Sequence, residues 1–172
     1  VEELAGGFQL PVNIAFNPHA HHDHDPLFYV VELYGQIKVV SGEGVVSTYA
    51  SGLLNFDPTG EFPGSGEQGV AGIVVDPASG DLFITVMYDN GGTHFPRVER
   101  LHSNDGGFTM ATRTILLSMP NDPMGQSHQI SNISFGPDGK LYVHVGDGFD
   151  HAAGTDLSVF RGKIVRMNLD GS

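Results

Sequence analysis

Short apolar runs, each bounded by turn residues, recur along this chain. Asn13-Ile14-Ala15-Phe16-Asn17-Pro18 is followed, after a loop, by Leu27-Phe28-Tyr29-Val30-Val31. Gly72-Ile73-Val74-Val75-Asp76-Pro77 is followed by Leu82-Phe83-Ile84-Thr85-Val86. Asn132-Ile133-Ser134-Phe135-Gly136-Pro137 is followed by Leu141-Tyr142-Val143-His144-Val145. Runs this short, rich in β-branched and aromatic residues, read as strands. The order strand, proline turn, strand therefore occurs three times, with Pro18, Pro77 and Pro137 59 and 60 residues apart. A period of that length filled with short strands predicts propeller blades or a related repeat array. Third strands are expected at 36–40, 98–102 and 163–168, and fourth strands at 45–49 and 111–117. No long amphipathic helix is evident. Residues 154–160 have room for one helical turn, with Thr155 or Asp156 as its N-cap.

The repeat divides a single half-propeller domain, 1–172, into blade 1 at about 11–50, blade 2 at about 69–118 and blade 3 at about 128–170. The third unit has no residues left for an outer strand, whereas the apolar stretch from Leu4 to Leu10 is unassigned. Residues 2–10, of the same chain or of a partner chain, are expected to supply that strand and hide an open sheet edge. Three blades alone would also expose two apolar faces. A two-fold axis relating two copies would close the ring. The expectation is an all-β chain of three four-stranded β-propeller blades, closing as a six-bladed propeller by homodimerisation.

Composition narrows the partners. Gly 24 and Pro 10 fit a turn-rich chain, and the formal net charge is −12. Such acidity repels phosphate backbones and anionic bilayers, so neither nucleic acid nor membrane is an expected partner. There is no cysteine, which excludes disulfides and thiolate chemistry.

The period also locates candidate chemistry. Nine residues before each repeat proline stand Gln9, Gln68 and His128. Equivalent positions in successive blades lie around one rim, and the second strand of each blade returns to it. Asp89 and Asp147 follow those second strands, so one face should gather Gln68, Asp89, His128, Gln129, Asp147 and His151. A histidine beside a carboxylate can serve as a base or a ligand anchor. An aspartate after Gly at a strand end also serves as a plain turn acceptor. The loop His19-Ala20-His21-His22-Asp23-His24 is rich in imidazole, which suits transition metals. By strand alternation it lies on the opposite face, without the outer ligands that fix a site, and no residue is assigned to a metal. His144 alternates with Tyr142 within a strand and reads as an interstrand residue, and Lys163 and Arg166 as basic stems over apolar neighbours.

The ordered set from His128 through Phe135-Gly136-Pro137-Asp138-Gly139-Lys140-Leu141-Tyr142 and Gly146-Asp147 to Asp156-Leu157-Ser158 and Arg161-Gly162-Lys163-Ile164-Val165-Arg166 resembles the soluble glucose/sorbosone dehydrogenase family. The resemblance covers the family's N-terminal half only. It implies a six-bladed quinoprotein propeller with pyrroloquinoline quinone and calcium as cofactors and a small-molecule sugar as substrate. It also implies a periplasmic or secreted location. Under it, His128 is the general base that takes a sugar hydroxyl proton as hydride passes to the quinone, and Gln68, Gln129 and Asp147 contact the cofactor. The family has glycine and arginine where this chain has Gln129-Ile130-Ser131-Asn132. Its calcium ligands and basic cofactor contacts fall mostly in later blades. Two functions follow: quinone-dependent oxidation of an aldose or alcohol, or a non-catalytic propeller that binds a ligand or protein, including an inactive remnant of the family.

Overall fold

The structure, a computed structural model, describes residues 1–58 and 67–172. It contains three antiparallel sheets, each a simple meander. The first is β1 (Pro11–Phe16), β2 (Pro26–Glu32), β3 (Gln36–Ser41) and β4 (Val46–Ala50). The second is β5 (Val70–Val75), β6 (Leu82–Asp89), β7 (His94–His102) and β8 (Thr112–Ser118). The third is β9 (Ile130–Phe135), β10 (Leu141–Val145) and β11 (Lys163–Met167). They stack in sequence order as blades.

The repeat prolines sit where the turn chemistry requires them. Asp76 accepts a hydrogen bond from the Ala78 amide (3.0 Å) and another from the Ser79 hydroxyl (2.7 Å). Asn17 accepts one from the His19 amide (3.0 Å). Short polar side chains before proline thus close the turn in the first two blades, and in the third Asp138, after Pro137, accepts from the Lys140 amide (3.2 Å).

Alternation then packs the blades. On β6, Leu82, Ile84 and Val86 join Tyr29, Val31, Ile37 and Val39 of blade 1. Its other face sends Phe83 and Met87 against Ile133, Leu141, Val143 and Val145 of blade 3. The central blade is buried on both sides, so β6 is apolar on both faces. Gly72 marks the tightest approach of inner strands: a Cβ there would stand 2.1 Å from the Ser131 carbonyl oxygen. Each inner strand also has a register irregularity near the same end, between Pro11 and Asn13, between Val70 and Ile73, and opposite Val143–Val145. Such bulges re-aim side chains at a rim.

The expected strands are present, with β7 extending four residues earlier than its pattern indicated. Two expectations need correction. The third sheet has three strands, and residues 2–10 of the same chain add no fourth. Gly7 takes a left-handed φ of 83°, which breaks extension, and Ala5 and Phe8 pack instead against Phe28, Val30 and Val40 on the outward face of blade 1. The helical turn is a 3-10 helix at His151–Thr155 capped by Asp150, whose side chain accepts from the Ala152 amide. It begins earlier than expected, with Asp150 as N-cap, while Thr155 and Asp156 stand at its C-terminal end. No helix among the described residues is long and apolar enough to cross a membrane.

Candidate active site

His128 enters blade 3 in the left-handed region, with φ 59°, a conformation few side chains other than Asn, Asp and His adopt readily. It is held there from three sides. Its amide donates to the Glu67 carboxylate. Its carbonyl accepts from the Gly148 amide (3.0 Å). Its ring lies on Phe149, 4.4 Å between centroids at 27°. Gly146 makes the arrangement possible, because a Cβ there would fall 2.0 Å from the His128 carbonyl oxygen.

The Asp147 carboxylate divides its oxygens between two imidazoles. Oδ1 lies 2.8 Å from Nδ1 of His128, and Oδ2 lies 2.8 Å from Nδ1 of His151. A carboxylate only accepts, so each Nδ1 carries the hydrogen and each neutral ring keeps its lone pair on Nε2. The hydrogen bond from His128, then that from His151, pulls the Asp147 carboxyl down to about 2. The His128 side chain remains 44% exposed. It borders an open depression of about 500 Å³ together with Asp147, His144, Lys163 and Ile164. Chemically, this is an oriented imidazole with an accessible basic nitrogen and a charged partner that stabilises its protonated form.

The other expected rim residues divide into two groups. Gln129 is beside His128 but nearly buried; its amide donates to the Gly125 and Ser127 carbonyls, and its Oε1 has no hydrogen-bond partner among the described residues. It lines a cavity of about 300 Å³ among the inner strands with Glu67, Asn13 and Ser131. Gln68 is 0% exposed. Its Nε2 donates to Gly125 (2.9 Å), and its Oε1 accepts from Nδ1 of His94. Asp89 belongs to this second cluster, 3.6 Å from Nε2 of His94, and its carboxylate accepts from the Gly92 amide (2.8 Å). The rim thus brings His128, Asp147 and His151 together and separates them from the buried pair of Gln68 and His94.

Sequence reasoning missed Phe149, Glu67 and His94. An aromatic residue two positions past Asp147 in a glycine-rich loop was a usable signal for the first. Glu67 gave none beyond its place next to Gln68. His94 pairs in register with Asp89 at the start of β7, which strand alignment alone would have revealed. His144 is interstrand, with Nδ1 2.9 Å from Ser131 Oγ. In the histidine-rich loop, Asp25 is occupied as a turn acceptor for the His21 and His22 amides, and no metal-binding cluster of three or more His, Asp or Glu exists among the described residues.

The three sheets stack as β-propeller blades, with a histidine–aspartate pair at one rim. The comparisons give the family. The profile of the Glucose / Sorbosone dehydrogenase family matches residues 8–172, and the chain belongs to that family. A glucose dehydrogenase-type oxidoreductase of Thermus thermophilus superimposes with a TM-score of 0.76 at 27% identity, over 99% of this chain and 47% of that one. The PQQ-bound aldose sugar dehydrogenase of Streptomyces coelicolor gives 0.77 at 22% identity, over 99% and 48%. Mouse Hedgehog-interacting protein is 23% identical over 99% of this chain and 26% of its own length. The chain therefore spans about half the length of these solved structures and about a quarter of the curated relative.

The rim residues fit one part of what a pyrroloquinoline quinone enzyme needs. His128 and Asp147 suit proton transfer. The cofactor's own carboxylates need cations, and those nearby are engaged: Lys163 Nζ donates to the Ala153 and Arg161 carbonyls, and Arg161 pairs with Asp150 at 3.3 Å. Anchoring of the quinone's carboxylates is therefore assigned to no residue of the chain.

Proposed function

We propose that this chain carries the proton-accepting side of a quinone-dependent sugar dehydrogenase. The observation that carries the reading is the 2.8 Å contact between His128 Nδ1 and Asp147, with the ring exposed at the rim. His128 Nε2 accepts the hydroxyl proton of an aldose or alcohol, and Asp147 stabilises the imidazolium that results. Asp147 and Phe149 fix the ring plane, so the lone pair points outward before substrate arrives. A bound quinone would supply the hydride acceptor. Gln129, whose carbonyl oxygen has no hydrogen-bond partner among the described residues and which lines the cavity among the inner strands, is proposed to face the cofactor. Gln68 supports it from beneath through Gly125, which both glutamines contact. Calcium is assigned no ligand on this chain.

The test is dye reduction by the purified protein with calcium, pyrroloquinoline quinone and several aldoses. His128→Asn keeps a residue tolerant of the left-handed backbone but removes the base. Its turnover should fall about 10²–10⁴-fold, the range for loss of a general base. Unchanged turnover in that variant would sink the assignment. The engaged Lys163 and Arg161 favour a second reading, a family propeller that binds a ligand without quinone chemistry. Undetectable binding of the quinone to the wild-type protein would select it.

We further propose that two copies associate through their outward blade faces. Support comes from the apolar surface left on blade 1, where Phe16 is 65% exposed, and from Ile164, 62% exposed on blade 3. Light scattering should give twice the chain mass; a mass of one chain at micromolar concentration would refute the association.

A further inference from the structure

We propose that the cleft between the segment following β4 and strands β6–β8 of blade 2 binds a small carboxylate with an apolar body, held by Arg97. The cleft is a cavity of about 320 Å³ lined by Leu53, Leu54, Tyr88, Arg97, Arg113 and Ile115, among others. That volume is at the lower end for small-molecule sites.

Its two arginines are in opposite states. Arg113 is saturated: it forms a bidentate pair with Glu99, with Nη2 2.9 Å from Oε1, and Nη2 also donates to the Leu53 carbonyl (2.9 Å). Glu99 is fully buried and neutralised by that pair. Arg97 makes no side-chain hydrogen bond and no ion pair to a described residue, and its Nε is enclosed. Among the described residues it is the one Lys or Arg left in that state. In a chain with 20 acidic and 8 basic residues, a guanidinium with five uncommitted N–H donors is an unusual surplus.

Arg97 is also held in place. Its Cζ lies 3.4 Å from the centre of the Tyr88 ring, so the guanidinium plane is fixed by stacking before any ligand arrives. With Nε enclosed, the terminal nitrogens are the donors that meet a ligand, in the forked geometry suited to a carboxylate. One cation left uncommitted among the described residues of a strongly acidic chain matches a monoanion and disfavours a phosphate dianion. Leu53, Leu54, Ile115 and the Tyr88 ring match an apolar body.

Benzoate is the probe, titrated calorimetrically into the full chain. Saturable binding with Kd of about 1 mM or tighter is expected, within what so few ligand atoms can supply. Neutral benzamide and inorganic phosphate should each bind at least about tenfold more weakly, as should benzoate to Arg97→Gln, for loss of one charge-assisted pair. In the wild-type protein, the Arg97 Nε–Hε NMR signal should move on adding benzoate while that of Arg113 stays. This last measurement needs no folded variant. Absence of saturable benzoate binding overturns the proposal. So does equal affinity for benzamide or phosphate, retention of affinity in Arg97→Gln, or a stationary Arg97 signal.

Discussion

Gln68 and His128 occupy the same position in successive repeats, and the fold treats them in opposite ways. Gln68 is fully buried, with its amide nitrogen on Gly125 and its oxygen on His94. His128 stands at the surface with its carboxylate partner and an accessible nitrogen. Each position lies near a carboxylate that ends or follows a second strand, Asp89 in blade 2 and Asp147 in blade 3. The histidine beside Gln68 in blade 2 is instead His94, stacked on Phe56 at 4.1 Å between centroids. A repeat fixes where a side chain starts; burial decides whether it can react. A buried polar cluster whose donors and acceptors are matched rigidifies a structure. An exposed pair with one nitrogen spare is open to substrate.

The largest expected effect comes from breaking the buried member. Gln68→Ala removes the acceptor for His94 Nδ1 and the donor to the Gly125 carbonyl. Stranding one buried polar group costs about 1–3 kcal/mol, and the Gly125 carbonyl keeps its bond from Gln129, so with the emptied side-chain volume a loss of about 2–3 kcal/mol is expected. For a chain of this size that lowers Tm by about 5–10 °C, read by circular dichroism. The matching change on the rim, His128→Asn, should alter stability by no more than about 0.5 kcal/mol, because it removes no buried partner. If both variants melt together, the contrast drawn between the two positions is wrong.

How much of this was legible beforehand depends on the kind of signal. The strands were readable because period-two alternation and the turns at Pro18, Pro77 and Pro137 are local. The pairing of His128 with Asp147 was readable because the repeat places both at one rim. The burial of Gln68 was not, since it depends on His94 and Gly125, which are distant in sequence. Residues 2–10 misled for a related reason. Their apolar content marked them for burial, but Gly7 and the open face of blade 1 decided against a strand. Arg97 carried no signal at all: that its guanidinium makes no hydrogen bond or ion pair among the described residues emerges only from the folded arrangement.

The smallest effect lies in the charge of the rim cluster. The hydrogen bonds from His128 and His151 hold the Asp147 carboxyl near 2, below its ordinary 3.8. A carboxyl depressed by folding contributes stability above its unfolded value, and that contribution is lost as pH falls through the folded one. The stability difference between wild type and Asp147→Asn should therefore be constant above about pH 5 and shrink between about pH 4 and 2. The exposed setting of Asp147 keeps this change small. Carbon-detected NMR of the Asp147 carboxyl gives the direct reading: mostly ionised at about pH 3 if both imidazoles engage it, and mostly protonated if it titrates as a free aspartate. The second result would dissolve the pairing on which the proton-accepting role of His128 depends.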